Sequence, residues 1–159
     1  MEWDIDSYLN VDLLEDHKDF KYTQYTEDPS LLEGVERDKD IEQKFYSGLL
    51  KSNCRVTSQP DWGDVFIHIK SKTAIDAHSI KNYVISFRDE CHFHEEICEC
   101  IYKRLKDAFE PSELLVMCLY ARRGGIDINP VRASDGRLIN LLADNLIDSK
   151  AVHIKTSKQ

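Results

Sequence analysis

A single cysteine, Cys54, sits in the run Ser52-Asn53-Cys54-Arg55-Val56-Thr57-Ser58-Gln59-Pro60-Asp61-Trp62-Gly63. The nucleophilic form of a cysteine is its thiolate, so a reactive one needs a lowered pKa or a nearby base. Arg55 adjoins it, and Asp61 follows a Gln-Pro pair that reads as a turn, because proline fixes φ and disfavours α backbone at the residue before it. A carboxyl group there could hand a proton to a substrate atom as the thiolate attacks. Read alone, Cys54 is more simply a buried structural cysteine, and Asp61 a turn-stabilising residue. The polar, turn-forming company of Asn53, Gln59, Asp61 and Trp62 favours the reactive reading.

Two further clusters could join such a centre. Phe93-His94-Glu95 opens a helical segment. The helix dipole alone favours acidic residues there by about 0.3–1 kcal/mol. A carboxylate at Glu95 also matches the paired N–H edge of a guanine-like heterocycle. Arg122-Arg123-Gly124-Gly125 sets two guanidinium groups beside a flexible turn, suited to phosphate and to close backbone approach. It is equally readable as a solvated basic β-turn. Cys91, His92, His94, Cys98 and Cys100 cluster in sequence, but His92/His94 and Cys98/Cys100 are spaced two apart and diverge on a helix. They lack the spacing of a zinc site, so no metal is expected.

The elements that must position these residues follow from periodicity. Phe45–Ser52 reads as a strand running into Cys54, preceded by a short helix over Asp40–Lys44. Asp64–Lys70 alternates apolar and polar, as a half-buried strand does, and Ser71-Lys72-Thr73 reads as a turn. Ile80, Tyr83, Val84 and Phe87 form one helical face, capped by Asp76 or Ser79. Phe93, Ile97, Ile101 and Leu105 repeat every four residues in a second helix that Pro111 ends. Leu114–Tyr120 reads as a buried strand and Ile126–Asn129 as a last one. A partly helical tail follows around Leu138–Leu146. The order is β-β-α-α-β-β: an α+β fold with a four-stranded antiparallel sheet and two helices on one face. Such a sheet has open edges, which invite pairing with another copy or module.

Composition sets the outer limits. The 159 residues are 42% hydrophobic, enough for one domain with a modest core. No apolar run reaches the ~18 residues of a membrane span, and the acidic start Met1-Glu2-Trp3-Asp4 is unlike a secretory signal. Five irregularly spaced cysteines do not form a disulfide framework. A cytoplasmic protein with free thiols is expected. Residues 1–44 hold 14 acidic and 5 basic side chains, a net of −9, leaving +1 for residues 45–159 of the total −8. That shift divides an acidic lead (1–44) from a core (45–134) and a tail (135–159). The lead argues against direct nucleic-acid binding, which needs a basic surface. Docking of the lead beside the basic Arg122-Arg123 turn is one expectation for it.

Together, Cys54-Arg55-Val56-Thr57-Ser58-Gln59-Pro60-Asp61-Trp62-Gly63, Ser86-Phe87-Arg88, Phe93-His94-Glu95 and Arg122-Arg123-Gly124-Gly125-Ile126-Asp127-Ile128-Asn129-Pro130 resemble the 7-cyano-7-deazaguanine reductases, the QueF family. The likeness covers about residues 27–134 and is closest to the C-terminal module of its long, two-module branch. The resemblance implies the tunnelling fold and reduction of a nitrile to a primary amine by NADPH, on the way to the tRNA nucleoside queuosine. It implies that Cys54 is the nucleophile forming a covalent thioimide and Asp61 the proton donor. It makes His94 and Glu95 substrate contacts, and Arg123 and Gly124 NADPH contacts. It further implies a deazapurine nitrile as small-molecule partner, and a homo-oligomer or a complementary N-terminal module. Short family members carry Glu-Ser-Lys-Ser before the first helix, where this chain has Asp76-Ala77-His78-Ser79. Two alternatives go with that departure: a related amidinotransferase acting on the nitrile base in tRNA, and a non-catalytic half-module that needs a partner chain.

Overall fold

The computed structural model describes residues 5–147 except His17 and Asp19, with side chains described as far as Leu141; residues 148–159 of the tail lie outside the described residues. The framework is one long antiparallel hairpin, β2 (Gly34–Asn53) and β3 (Pro60–Ile75). Each exceeds the 3–10 residues usual for a strand, and β2 achieves this through two register shifts, between Glu36 and Ile41 and between Ser47 and Leu50. The second shift sets the site. One extra residue there lets Phe45 and Leu50, of opposite parity, face the same core. The Asp12 carboxylate holds the bulge, accepting from Ser47 Oγ and Gly48 N at 2.6 Å each.

Between the hairpin and the next strand come α1 (Ala77–Ile85) and α2 (His94–Phe109). Asp76 caps α1 by accepting from His78 N at 3.1 Å. Ile97, Ile101, Leu105 and Phe109 pack the predicted face of α2 into the core. Glu110, at φ +43°, ends that helix one residue before Pro111. Then β4 (Glu113–Tyr120) pairs with β3, and β5 (Val131–Ala133) with β4. Val65, Ile67 and Ile69 of β3 meet the helices together with Leu114, Val116, Cys118 and Tyr120 of β4. The other sheet face is a smaller cluster of Phe66, Leu115, Met117 and Leu119, covered by Tyr8 and by Leu138 of α3 (Gly136–Ile147).

The β-β-α-α-β-β order is therefore present, and the structure adds to it. A two-residue strand, β1 (Leu9–Asn10), pairs parallel to β2 at Phe45–Tyr46, making a five-stranded mixed sheet. The segment expected as a helix over Asp40–Lys44 is strand. Gln43 explains part of this, because its side chain donates to Thr73 O (2.9 Å) and accepts from Ile75 N (3.0 Å) across the hairpin. Ser71-Lys72-Thr73 likewise continues β3 instead of turning. The last strand lies later than Ile126–Asn129. That stretch runs beside β4 and lends it carbonyls, Ile128 O to Tyr120 N (3.2 Å) and Pro130 O to Cys118 N (3.0 Å). Pro130 has no N–H to return, so regular pairing starts only at Val131.

Among the described residues of the acidic lead, the ion pairs go to α1 and α2 rather than to the Arg122-Arg123 turn: Asp16 meets Lys81 (3.1 Å) and His78 (2.9 Å), and Glu27 meets Arg104 (2.9 Å) and the Tyr83 hydroxyl (2.9 Å). No described helix is long and apolar enough to cross a membrane.

Candidate active site

The β2–β3 connection is a tight loop over residues 54–59. Cys54 N donates to Gln59 O (2.8 Å) and Ser58 N to Cys54 O (2.9 Å), with Ser58 in the left-handed region at φ +58°. The turn thus ends before Pro60, which takes the first place in β3, where a missing N–H is tolerated. Asp61 is a strand residue opposite Ser52, not a turn residue. It shares the parity of Val65 and Ile67, so its carboxylate enters the helix side of the sheet, 5% exposed.

Two other elements close on it. The start of α2 brings His94, 8% exposed, with its ring 4.2 Å from that of Tyr120. His94 Nε2 lies 3.3 Å from Asp61 Oδ1, a pairing distance without hydrogen-bond alignment. From the loop after β4, Arg123 sets Nε 3.1 Å from the same Asp61 oxygen and Nη2 3.3 Å from Gln59 Oε1. The result is a cleft of about 230 Å³ lined by Cys54, Asp61, His92, Phe93, His94, Glu95, Arg123 and Ile128. That is smaller than the ~300–1,000 Å³ usual for drug-sized ligands and suits a compact heterocycle.

The local electrostatics suit a nucleophile. The Cys54 thiol is lowered to about 6, first by the Thr57 hydroxyl and Thr57 N–H, then by Arg123 and the Val56 N–H, against the opposing cost of burial. That lowering favours the thiolate, the nucleophilic form. The two neighbouring glutamates divide their work. Glu96 accepts from Phe93 N (2.9 Å) and pairs with Arg55 (3.2 Å), completing the helix start. Glu95, exposed at the rim, makes no hydrogen bond or ion pair among the described residues. His92 is held by Glu90 at 3.0 Å.

Five of the six residues singled out in the sequence, Cys54, Asp61, His94, Glu95 and Arg123, line one cleft. Gly124 lies outside it, exposed at the turn with φ +56° and nothing within 4 Å of an added Cβ. The Arg122 guanidinium is bound to Asp127 through Nε (2.5 Å) and Nη2 (3.1 Å). The start of α1 offers little free chemistry: Asp76 caps, His78 bonds Asp16, and Ser79 Oγ bonds Asp76 O (2.6 Å) and Glu33 N (3.1 Å). Among the described residues no group of three or more His, Cys, Asp or Glu converges as a metal ion would require.

Thr57, Tyr120 and Gly63 join the site without having been singled out, and Gln59 figured only as a turn-forming neighbour. Thr57 and Gln59 lie inside the Cys54 run, and their turn-forming types were the available signal. Tyr120 and Gly63 act at a distance. A Cβ on Gly63 would stand 3.0 Å from the Tyr120 ring that backs His94, and one strand shows no sign of this in sequence.

A family model described as "QueF-like protein" matches residues 60–137. Curated relatives named NADPH-dependent 7-cyano-7-deazaguanine reductase include that of Psychrobacter cryohalolentis, 47% identical over 116 residues, covering 70% of this chain and 41% of the relative. That of Hahella chejuensis is 41% identical over 136 residues, covering 86% of this chain and 46% of the relative. The chain therefore spans less than half the length of these relatives. Among solved structures, the archaeosine synthase QueF-Like in the apo form shares the fold with a TM-score of 0.52 at 21% identity, covering 60% of this chain and 93% of that one.

Proposed function

We propose that the chain, matched by the QueF-like family model over residues 60–137, is the nitrile-capturing module of a cytoplasmic NADPH-dependent 7-cyano-7-deazaguanine reductase, an oxidoreductase of queuosine biosynthesis. The observation that carries this reading is one cleft in which a thiol depressed to about 6 stands with a buried carboxylate and an unengaged glutamate.

A nitrile is a poor hydride acceptor. Addition of the Cys54 thiolate to its carbon, with a proton delivered to its nitrogen, gives a C=N–H thioimide bonded to sulfur, a better electrophile. Asp61 is the donor of that proton, and His94 lies beside it to pass on the next. Glu95 accepts the paired N–H groups of the purine-like edge. The buried walls, with the Tyr120 ring behind His94, keep water from the captured carbon.

Two NADPH molecules, bound one after the other, would supply one hydride each, the four electrons that with two protons take a nitrile to an amine and free the thiolate. Within this chain Arg123 and the open backbone of Gly124 would meet the cofactor, and Gly124 leaves room for close approach. The remaining contacts come from a second module or copy set against the cleft. Phe93 of the cleft lining is exposed, as are Val56, in the Cys54 loop, and Ile126, bonded to Arg123. The proportion of relatives that this chain spans fits such a half.

Loss of reduced-nicotinamide absorbance, followed with the nitrile base present and product identified by mass, tests the activity. Turnover by the chain alone or with a complementary module supports the reading. No amine under either condition contradicts it.

A further inference from the structure

We infer that Arg123 serves the capture step itself, holding the Cys54 thiolate, and is not solely a cofactor contact. The inference adds to the proposed function, but its first test stands without it.

Its place in the cleft carries it. Arg123 lines the same cleft as Cys54, whose thiol it helps to lower. Its guanidinium lies 3.1 Å from Asp61 Oδ1 and donates to Gln59 Oε1 at 3.3 Å. Gln59 O in turn accepts from Cys54 N. One side chain thus ties the buried carboxylate to the loop that carries the nucleophile, with no cofactor involved. Its anchorage is local: Arg123 and Ile126 exchange backbone bonds of 3.2 and 3.0 Å, closing the turn through the two positive-φ glycines. That aims the residue inward while Arg122 is held outside by Asp127.

The balance of charge around the sulfur gives Arg123 its weight. Asp61, Glu95, His92 and His94 face the same cleft. Arg55, next to Cys54 in sequence, is turned away to Glu96 and the Phe93 ring. Arg123 is then the permanently charged cation facing the thiolate among the described cleft residues, joined by neutral donors from Thr57 and Val56. A thiolate so held is lost as pH falls through about 6 and fully present above it.

The test is the pH profile of Cys54 alkylation by iodoacetamide, read by peptide mass on the full chain. The exposed Cys91 serves as internal reference. In the unaltered chain the midpoint lies near 6. Arg123→Met raises it by about one pH unit, slowing alkylation at pH 5 about tenfold. Arg123→Lys retains most of the effect, and Cys91 labelling is unchanged in both. An unaltered midpoint in Arg123→Met overturns the inference, as does a Lys variant no better than Met. A second readout, adduct formation with the nitrile base without NADPH, slows in parallel in Arg123→Met; an unchanged rate there would confine Arg123 to the cofactor. If alkylation shifts as stated but the unaltered chain captures no nitrile, the inference holds and the proposed function fails.

Discussion

The two sides of the Cys54 cleft are built differently. On the capture side, Cys54, Asp61 and His94 are buried and come from the β2–β3 loop, β3 and the start of α2, three elements locked by the main core. Each has a defined neighbour, and the thiol is already depressed. On the side proposed for the cofactor, the Arg122–Gly125 turn is largely exposed, and its two guanidinium groups are engaged by Asp127 and by the cleft itself. The start of α1 is consumed by capping and by Asp16. Covalent capture needs groups fixed to within a fraction of an ångström, whereas a docking turn can be completed by another surface. On the proposed function, this chain is organised for holding a nitrile more fully than for reducing it.

Asp61→Asn separates the two sides most sharply. Loss of the proposed proton donor is expected to slow nitrile capture by ~10²–10⁴-fold, the usual contribution of general acid catalysis. Iodoacetamide labelling of Cys54 needs no such proton and should persist. Equal loss of both reactions would show Asp61 to be a scaffold, erasing the distinction.

Gly63→Ala probes the backing of the capture side. Its Cβ would press on the Tyr120 ring at 3.0 Å, and Tyr120 is fully buried and cannot give way freely. Overpacking of this kind costs about 1–3 kcal/mol, expected as a fall in melting temperature of roughly 2–4 °C per kcal/mol for a chain of this size. Slower capture should accompany it, because Tyr120 carries the His94 ring. A normal melting temperature would mean that the strand pair relaxes without strain.

The legibility of the chain follows the same division. The helices and β4 are plain in sequence because their apolar residues repeat with one period and are buried on one face. The first half of β2 is not, since residues 35–40 are exposed and mostly charged, with only Val35 and Glu36 of them in register with β3, and Gln43 rather than an apolar stripe ties the hairpin there. The parallel β1 is two residues long and has no period to detect. Within the site, Cys54 and Asp61 share one hairpin and can be read together. The approach of Arg123 to Asp61 in the Cys54 cleft cannot be read, because it depends on how the loop after β4 folds back across β3. The lead showed its charge in the sequence but not its partners, Lys81 and Arg104, which gather only when α1 and α2 pack.

The smallest expected effect lies on the exposed side. Arg122→Ala removes a surface pair with Asp127 that solvent screens. Thermal stability should barely move, and the rate of nitrile capture should stay unchanged. A capture defect there would show that the outer turn belongs to the inner site.

The central claim is that Cys54 is a covalent nucleophile toward a nitrile. Intact-mass measurement of the chain mixed with 7-cyano-7-deazaguanine, without NADPH, tests it directly. One added substrate mass, absent from Cys54→Ala, is the predicted result; no adduct on the unaltered chain at neutral pH, or an adduct that survives Cys54→Ala, would contradict it.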